Sequence, residues 1–411
     1  MDDKKHFFNK WIKISLANFL VVALVGVLLR YKINFPLPLL NYKFLLHAHS
    51  HFAFAGWVTQ VLMALIVQYL YQHNENISLG KYKQVFIWNF ITAYGMLFSF
   101  PFQGYGLISI IFSTLSVFVS YFFIALVWKD LKLFADAGYS KAWIKASLLL
   151  YAISSLGPFS LAYLMANQIS GQDLYFGAVY FFLHFQYNGW FLFACFGLFF
   201  SYLQKAGFLH TSLYSKKIFR VLFITCFPAY LLSTMWMDLP IALRIIATAA
   251  AIFQLVSLVY IFKLFAAAKK LLAYNLNTLS KNLWLMVLIA FVIKLLLQCL
   301  SIIPSLSQYA FGFRPVVIGY LHLSFLGIIT FFILGYINLH MTLSRSGVYI
   351  FAASVLATEI TLMLQGFEAI GFNILPYANY ILFAAAISMT AGLTIIVAKK
   401  KPLVKLFSEI L

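Results

Sequence analysis

Charge is scarce in this chain. Of its 411 residues only 9% are charged, and the acidic ones number 10. Globular domains carry about 25% charged residues, so a water-facing surface over most of the chain is excluded. Cysteine is scarce too. Cys195, Cys226 and Cys299 all fall within apolar runs and form no CxxC pair, which excludes a disulfide framework and a cysteine zinc site. No long polar linker divides the chain. No small-residue cleavage site closes the first apolar run, which reads as an uncleaved first span.

Hydrophobicity is what the chain has. Fully 64% of it is apolar, in recurring runs of about 20 residues, each long enough to cross a bilayer. The fold class expected is an all-α polytopic membrane protein, one membrane domain over residues 1–411. Twelve spans are expected, at 11–29, 44–71, 85–102, 105–127, 143–165, 174–203, 218–237, 240–265, 283–304, 315–340, 347–371 and 378–398. The net charge of +19 then reflects basic loops rather than a nucleic-acid partner. The N-terminus, the even-to-odd loops and the C-terminal tail hold 23 of the 29 basic residues. The odd-to-even loops hold five, Arg30, Lys32, Lys43, Arg244 and Arg314, and Lys294 lies within a span. The positive-inside rule therefore predicts cytoplasmic termini in an inner (cytoplasmic) membrane.

One pattern recurs. "HFAFAGW" starts at His51, "HFQYNGW" at His184 and "HLSFLGI" at His322. Each is His, four residues, Gly and a bulky apolar residue, separated by 133 and 138 residues. They fall in spans 2, 6 and 10, the second helix of each four-helix unit. Internal repeats of approximately 1–131, 140–268 and 280–400 imply a pseudo-threefold bundle. At 1.5 Å per residue, His51 and His322 lie roughly 10 Å below the outer helix ends and His184 roughly 15 Å. The glycines, Gly56 and Gly327 among them, permit close helix packing or close approach of a flat cofactor.

Histidine has no hydrophobic reason to stand in lipid. It serves either as an interhelical hydrogen bonder or as a functional group, and imidazole suits haem iron and copper. His47 and His51 are i,i+4 neighbours on one helix face, and His49 points elsewhere, so the three do not share one iron. The repeat singles out His51 among the three, because it alone has counterparts at His184 and His322. His47 and His49 are candidates for haem propionates, for a second metal or for simple solvation at the interface, and a second haem or a copper would involve His184 with His47 or His49.

The order "HAHSHFAFAGW" in span 2 with "HLSFLG" in span 10 resembles the haem–copper oxidase subunit I superfamily. Within it the chain is most similar to NnrS-type nitric-oxide-response proteins, through His49, His51, Gly56 and Trp57. The resemblance implies twelve helices in three arcs of four, with a low-spin haem, b-type here, between His51 and His322. His184 stands near a copper-ligand position, beside Gln186, Tyr187 and Asn188. There are departures. Tyr320 replaces a second span 10 histidine, and Phe52 replaces an acidic residue. Tyr187 stands three residues after His184 rather than four, where Asn188 is. No HH pair occurs anywhere. A complete oxygen-reducing binuclear centre is therefore not expected. No CxxCH occurs either, so covalent c-type attachment is unsupported.

Lys294 in span 9 and Glu359 in span 11 lie near mid-membrane, where a charge costs roughly 2.5–3.5 kcal/mol on insertion scales. They are expected to face inward, as an ion pair or separately solvated or neutral, with a proton path as a third option. Arg314, eight residues before His322, suits a haem propionate or simple interface anchoring. His6, His73, His210 and His340, near inner span ends, are expected to be solvated. The function expected is a haem-binding membrane protein for electron transfer or diatomic gas (NO or O2) handling, with a membrane or periplasmic redox partner. The alternatives are an active oxygen or nitric oxide reductase with an atypical site, and a transporter with a histidine-lined path.

Overall fold

A computed structural model of the chain describes residues 2–135, 139–368 and 377–399. The end of expected span 11, at 369–371, and the basic tail beyond Lys399 lie outside the described residues. The described residues are helical throughout, without a strand. In chain order the helices are α1 (Asp2–Asn34), α2 (Tyr42–His73), α3 (Leu79–Gln103), α4 (Leu107–Leu133), α5 (Ser140–Ala166) and α6 (172–205). There follow α7 (211–234), α8 (Ile241–Asn275), α9 (Thr278–Leu300), α10 (Arg314–Ile337), α11 (Arg345–Glu368) and α12 (Ala378–Ala398). A short helix, Pro304–Gly312, precedes α10.

Ten of these are long and apolar enough to cross a membrane, or eleven when α7, bent by 49° at Phe227–Pro228, counts as one span. The expectation was twelve. The run 172–205 falls short because Gln186, Tyr187 and Asn188 interrupt it. Local chemistry sets the boundaries. Asn41 caps α2 by accepting from Lys43 N and Phe44 N, and Asn277 caps α9 through Ser280 N; both are favoured N-cap residues. Pro228 removes a donor at the bend of α7.

Cross-links between helix ends show an up-and-down path. Lys81 at the start of α3 pairs with Asp130 near the end of α4 at 2.8 Å. Lys205 ending α6 donates to Gln72 ending α2. Asn338 after α10 donates to Asn277 before α9 at 2.9 Å. These contacts gather the basic loops at the end where α1 begins and α12 finishes, called here the terminal end. Asn34 after α1 donates to Asn379 O near the start of α12 at 3.2 Å, at the opposite, far end.

Burial separates the helices into two classes. In α2, 78% of the most apolar window is buried, and in α10 61%, against 17% in α4. The middle of α6 from His184 to Cys195 is buried throughout. Helices α2, α6 and α10 therefore form the centre, and α4 presents Phe118 and Phe122 outward as a lipid-facing helix does. One continuous apolar core runs from Phe8 in α1 to Ile396 in α12.

Helices α11 and α12 meet backbone to backbone at Gly347 and Gly392. A Cβ on Gly392 would lie 2.8 Å from Gly347 O and from Phe351 N, neither of which can retreat like a side chain. Gly392→Ala is expected to cost about 1–3 kcal/mol, the usual price of overpacking, read as a lowered thermal midpoint in detergent. Gly312→Ala, where nothing stands within 4 Å, should leave that midpoint in place.

Candidate functional site

The three His-x4-Gly motifs share one local structure. Each opens onto a π-helical run: Ala53–Thr59 in α2, Phe185–Phe191 in α6 and Leu323–Thr330 in α10. Among the described residues these are all the π-helical segments. π-Helix makes up well under 1% of residues generally and concentrates at functional sites. The H-x4-G spacing was the sequence signal, but nothing in it specified the i→i+5 winding.

The π runs interlock. Trp57, six residues after His51, donates its indole N–H to Thr330, eight residues after His322, at 3.2 Å. Trp190, six after His184, donates to Thr59, eight after His51, at 3.4 Å. The third pair in this sense is Ile328 and Leu192. Both are apolar, and both line a cavity of about 70 Å³ whose walls are wholly apolar. Phe54, Phe191 and Phe325 pack against one another between the three helices, with centroids 4.5 to 5.6 Å apart. Side-chain amides meet carbonyls of the first π run: Asn18 donates to Gly56 O at 2.7 Å and Asn89 to Ala55 O at 3.0 Å. In lipid such partners have to come from the protein.

The two candidate glycines serve packing. A Cβ on Gly56 would strike the Phe52 ring at 2.6 Å, and one on Gly327 would meet Ala290 of α9 at 3.3 Å. Neither faces an open slot for a flat cofactor.

The histidines of α2 divide as their spacing predicts. His51 Nε2 hydrogen-bonds the Tyr105 hydroxyl at 3.1 Å, and its ring stacks on Phe100 at 4.5 Å. His47 meets the same Tyr105 ring edge-on at 4.7 Å. Both therefore face α3 and its turn into α4. His49 turns the other way, so that a Cβ on Gly26 of α1 would sit 3.3 Å from its ring. His49 is also the α2 histidine within electrostatic reach of His322, and Arg30 reaches both.

His51 is engaged by Tyr105 and Phe100, and His49, on the other side of α2 because residues two apart on a helix point about 200° apart, is the one within electrostatic reach of His322. The repeat register matched depth and left rotation open.

Around His322 the polar groups converge from four helices. His322 Nδ1 stands 4.0 Å from Glu359 Oε1 of α11. His49 Nδ1, His322 Nδ1 and Glu359 Oε1 are all shut from solvent without a hydrogen-bond partner. Buried polar atoms left unpaired are costly, so this cluster has capacity for a further group. Towards the far end, Arg30 lies within electrostatic reach of Arg314 and of Tyr42, and the Arg314 guanidinium lies over the Tyr42 ring at 5.4 Å. Two guanidiniums thus stand near one another, and among the described residues neither has a carboxylate in ion-pair contact.

The second polar cluster is of another kind. His184 Nε2–H donates to Cys226 O at 2.8 Å, and Asn188 Nδ2 donates to His184 Nδ1 at 3.1 Å. Both ring nitrogens are spent on protein partners, so the candidate copper ligand is a structural hydrogen bonder. Lys294 is buried as expected and donates to Gln298 at 3.0 Å, within electrostatic reach of His184 and Cys226. The Lys294–Glu359 ion pair is not formed, since the two groups belong to different clusters. Among the described residues no group of three His, Cys, Asp or Glu side chains gathers to hold a metal.

Of the histidines expected to be solvated, His6 and His210 are exposed. His73 and His340 instead bond the carbonyls of Tyr69 and Tyr336, four residues earlier, and His73 stacks on Phe134.

No known protein family matches the chain, and no curated protein is significantly similar to it in sequence.

His184→Ala would leave the Asn188 amide and the Cys226 carbonyl unpartnered in the core. The expected result is a loss of roughly 1–3 kcal/mol, seen as a lower thermal midpoint with the metal content of the purified protein unchanged. A loss of bound metal in that variant would restore His184 as a ligand.

Proposed function

We propose that this chain is a haem-binding integral membrane protein that carries electrons or handles a diatomic gas. Its fold in this reading is the haem–copper-oxidase type, twelve spans in three four-helix units, with both termini and the basic end in the cytoplasm. The three equivalent π runs and their interlock in α2, α6 and α10 support the threefold arrangement. Fold alone does not give function, so the site carries the argument.

The observation that supports it is that His49 of α2 lies within electrostatic reach of His322 of α10, each with a ring nitrogen shut from solvent and without a hydrogen-bond partner. In this reading His49 and His322 would hold a b-type haem. Metal-bound histidines typically donate their other ring N–H to a carboxylate, and Glu359, 4.0 Å from His322 Nδ1, would orient that ring. Arg30 and Arg314 would neutralise the propionates, and Arg suits paired carboxylate contacts. When bound, haem supplies a one-electron iron couple. The chain's part is to bind it, orient it and keep water from it. The copper role is not carried forward, because His184 has no free ring nitrogen.

A haem-supplied preparation is expected to show a sharp reduced alpha band. His49→Ala and His322→Ala should abolish it, while His51→Ala and His184→Ala retain it. Retention in His49→Ala with loss in His51→Ala would reinstate the pairing of His51 with His322. A colourless wild-type protein from haem-supplemented cells would end the proposal.

A further inference from the structure

A second site lies at the terminal end, far from the histidine cluster. A cavity of about 200 Å³ opens between the start of α1, the segment after α10 and the end of α12. That is far above the roughly 10–15 Å³ that admits one water. His6, Asn9 and Lys13 line it from α1 at i, i+3 and i+7, one helix face, with Thr342 and Lys399 opposite. Its floor is apolar, including Leu16 and Ile396.

The lining has the wrong balance to stand empty of anions. Two ammonium groups and an imidazole line one cavity, and among the described residues no carboxylate lines it. Lys399 donates to Leu343 O at 2.9 Å, which leaves further N–H donors on each lysine. Thr342 Oγ1 is shut from solvent and lacks a hydrogen-bond partner. Donors thus outnumber acceptors around a space with room for a polyatomic ion. Lysine binds phosphate as a point charge, and phosphate offers only acceptors. Leu16, Leu343 and Ile396 give the same cavity an apolar part beside its cations, which suits a lipid headgroup as well as the free ion.

We propose that His6, Lys13, Thr342 and Lys399 form a phosphate-binding site, filled by a lipid headgroup or by free phosphate. It is independent of the haem reading. The test uses the purified full chain in detergent, with thermal midpoint and titrated affinity as readouts. The ligands are inorganic phosphate, phosphatidylglycerol and diacylglycerol, the last having an apolar tail without phosphate. Stabilisation by phosphatidylglycerol but not by inorganic phosphate or diacylglycerol identifies a headgroup site. Stabilisation by inorganic phosphate as well identifies a site for the ion itself. In either case a Lys13→Gln/Lys399→Gln double variant should bind roughly tenfold or more weakly, from the contribution of each lysine to anion attraction. Thr342→Val, which keeps the shape, should also weaken binding and serves if the double variant does not fold. The proposal is overturned if no phosphate-bearing ligand stabilises the protein, if diacylglycerol does so equally, or if the variants bind as the wild type does.

Discussion

A polar backbone in lipid has to satisfy itself, and the centre of this molecule is organised by that constraint. Three helices widen to i→i+5 winding at matched positions, which exposes carbonyls and turns bulky side chains toward their neighbours. Asn18 and Asn89 meet carbonyls of the first π run, and Trp57 and Trp190 reach threonines of adjoining π runs. Interhelical hydrogen bonds in membranes average only about 0.6 kcal/mol. Their value here lies in register: each ties one π run to the next, so α2, α6 and α10 are fixed in depth and rotation together. The third junction, Ile328 against Leu192, has no such bond, and there the packing leaves an apolar cavity.

Fixing rotation decides what each buried histidine does. His184 and His322 open equivalent motifs, yet their surroundings differ. His184 finds a carbonyl made available where α7 bends, together with an amide one turn along its own helix. Its ring is fully bonded and immobile. His322 finds a carboxylate just beyond hydrogen-bond range and a second histidine, with no donor or acceptor to close the set. A satisfied histidine stabilises a fold. An unsatisfied one, beside other unsatisfied groups, costs stability. That contrast, within one molecule and one motif, separates the surroundings of His322 from those of His184.

Much of this was legible in the sequence. Composition gave the membrane class, the H-x4-G repeat marked the three central helices, and the i,i+4 rule correctly put His47 and His51 on one face with His49 on another. What the repeat did not carry was which face meets α10. Aligning motifs counts residues along a helix, and His51 shares that count with His322. Rotation is set by how α1 and α3 pack around α2: Gly26 leaves space for the His49 ring, while Phe100 and Tyr105 take His51. These contacts are long-range in sequence, so no local pattern announces them. The apolar-length criterion reaches ten or eleven spans against the twelve expected for a related reason. The polar residues Gln186 and Asn188 are tolerated in α6 because protein surrounds them on every side, and hydropathy does not register that shelter.

The separation of Lys294 from Glu359 follows from the same geometry. Both flank α10, Lys294 buried and Glu359 half-buried, and Coulomb attraction at low dielectric would favour contact. Helix α10 stands between them, however, with α9 on one side and α11 on the other. Gly327 brings α10 against Ala290 of α9, and Gly319 brings it against Met363 of α11. Close packing on both flanks leaves no path around the helix for a lysine side chain to follow. Each group is instead held by its own neighbours: Lys294 by Gln298 and the Phe291 ring, and Glu359 beside His322. Pairing the two would have neutralised Glu359 as a partner for the histidine. Keeping them apart leaves an acidic acceptor 4.0 Å from His322 Nδ1, which has no other partner.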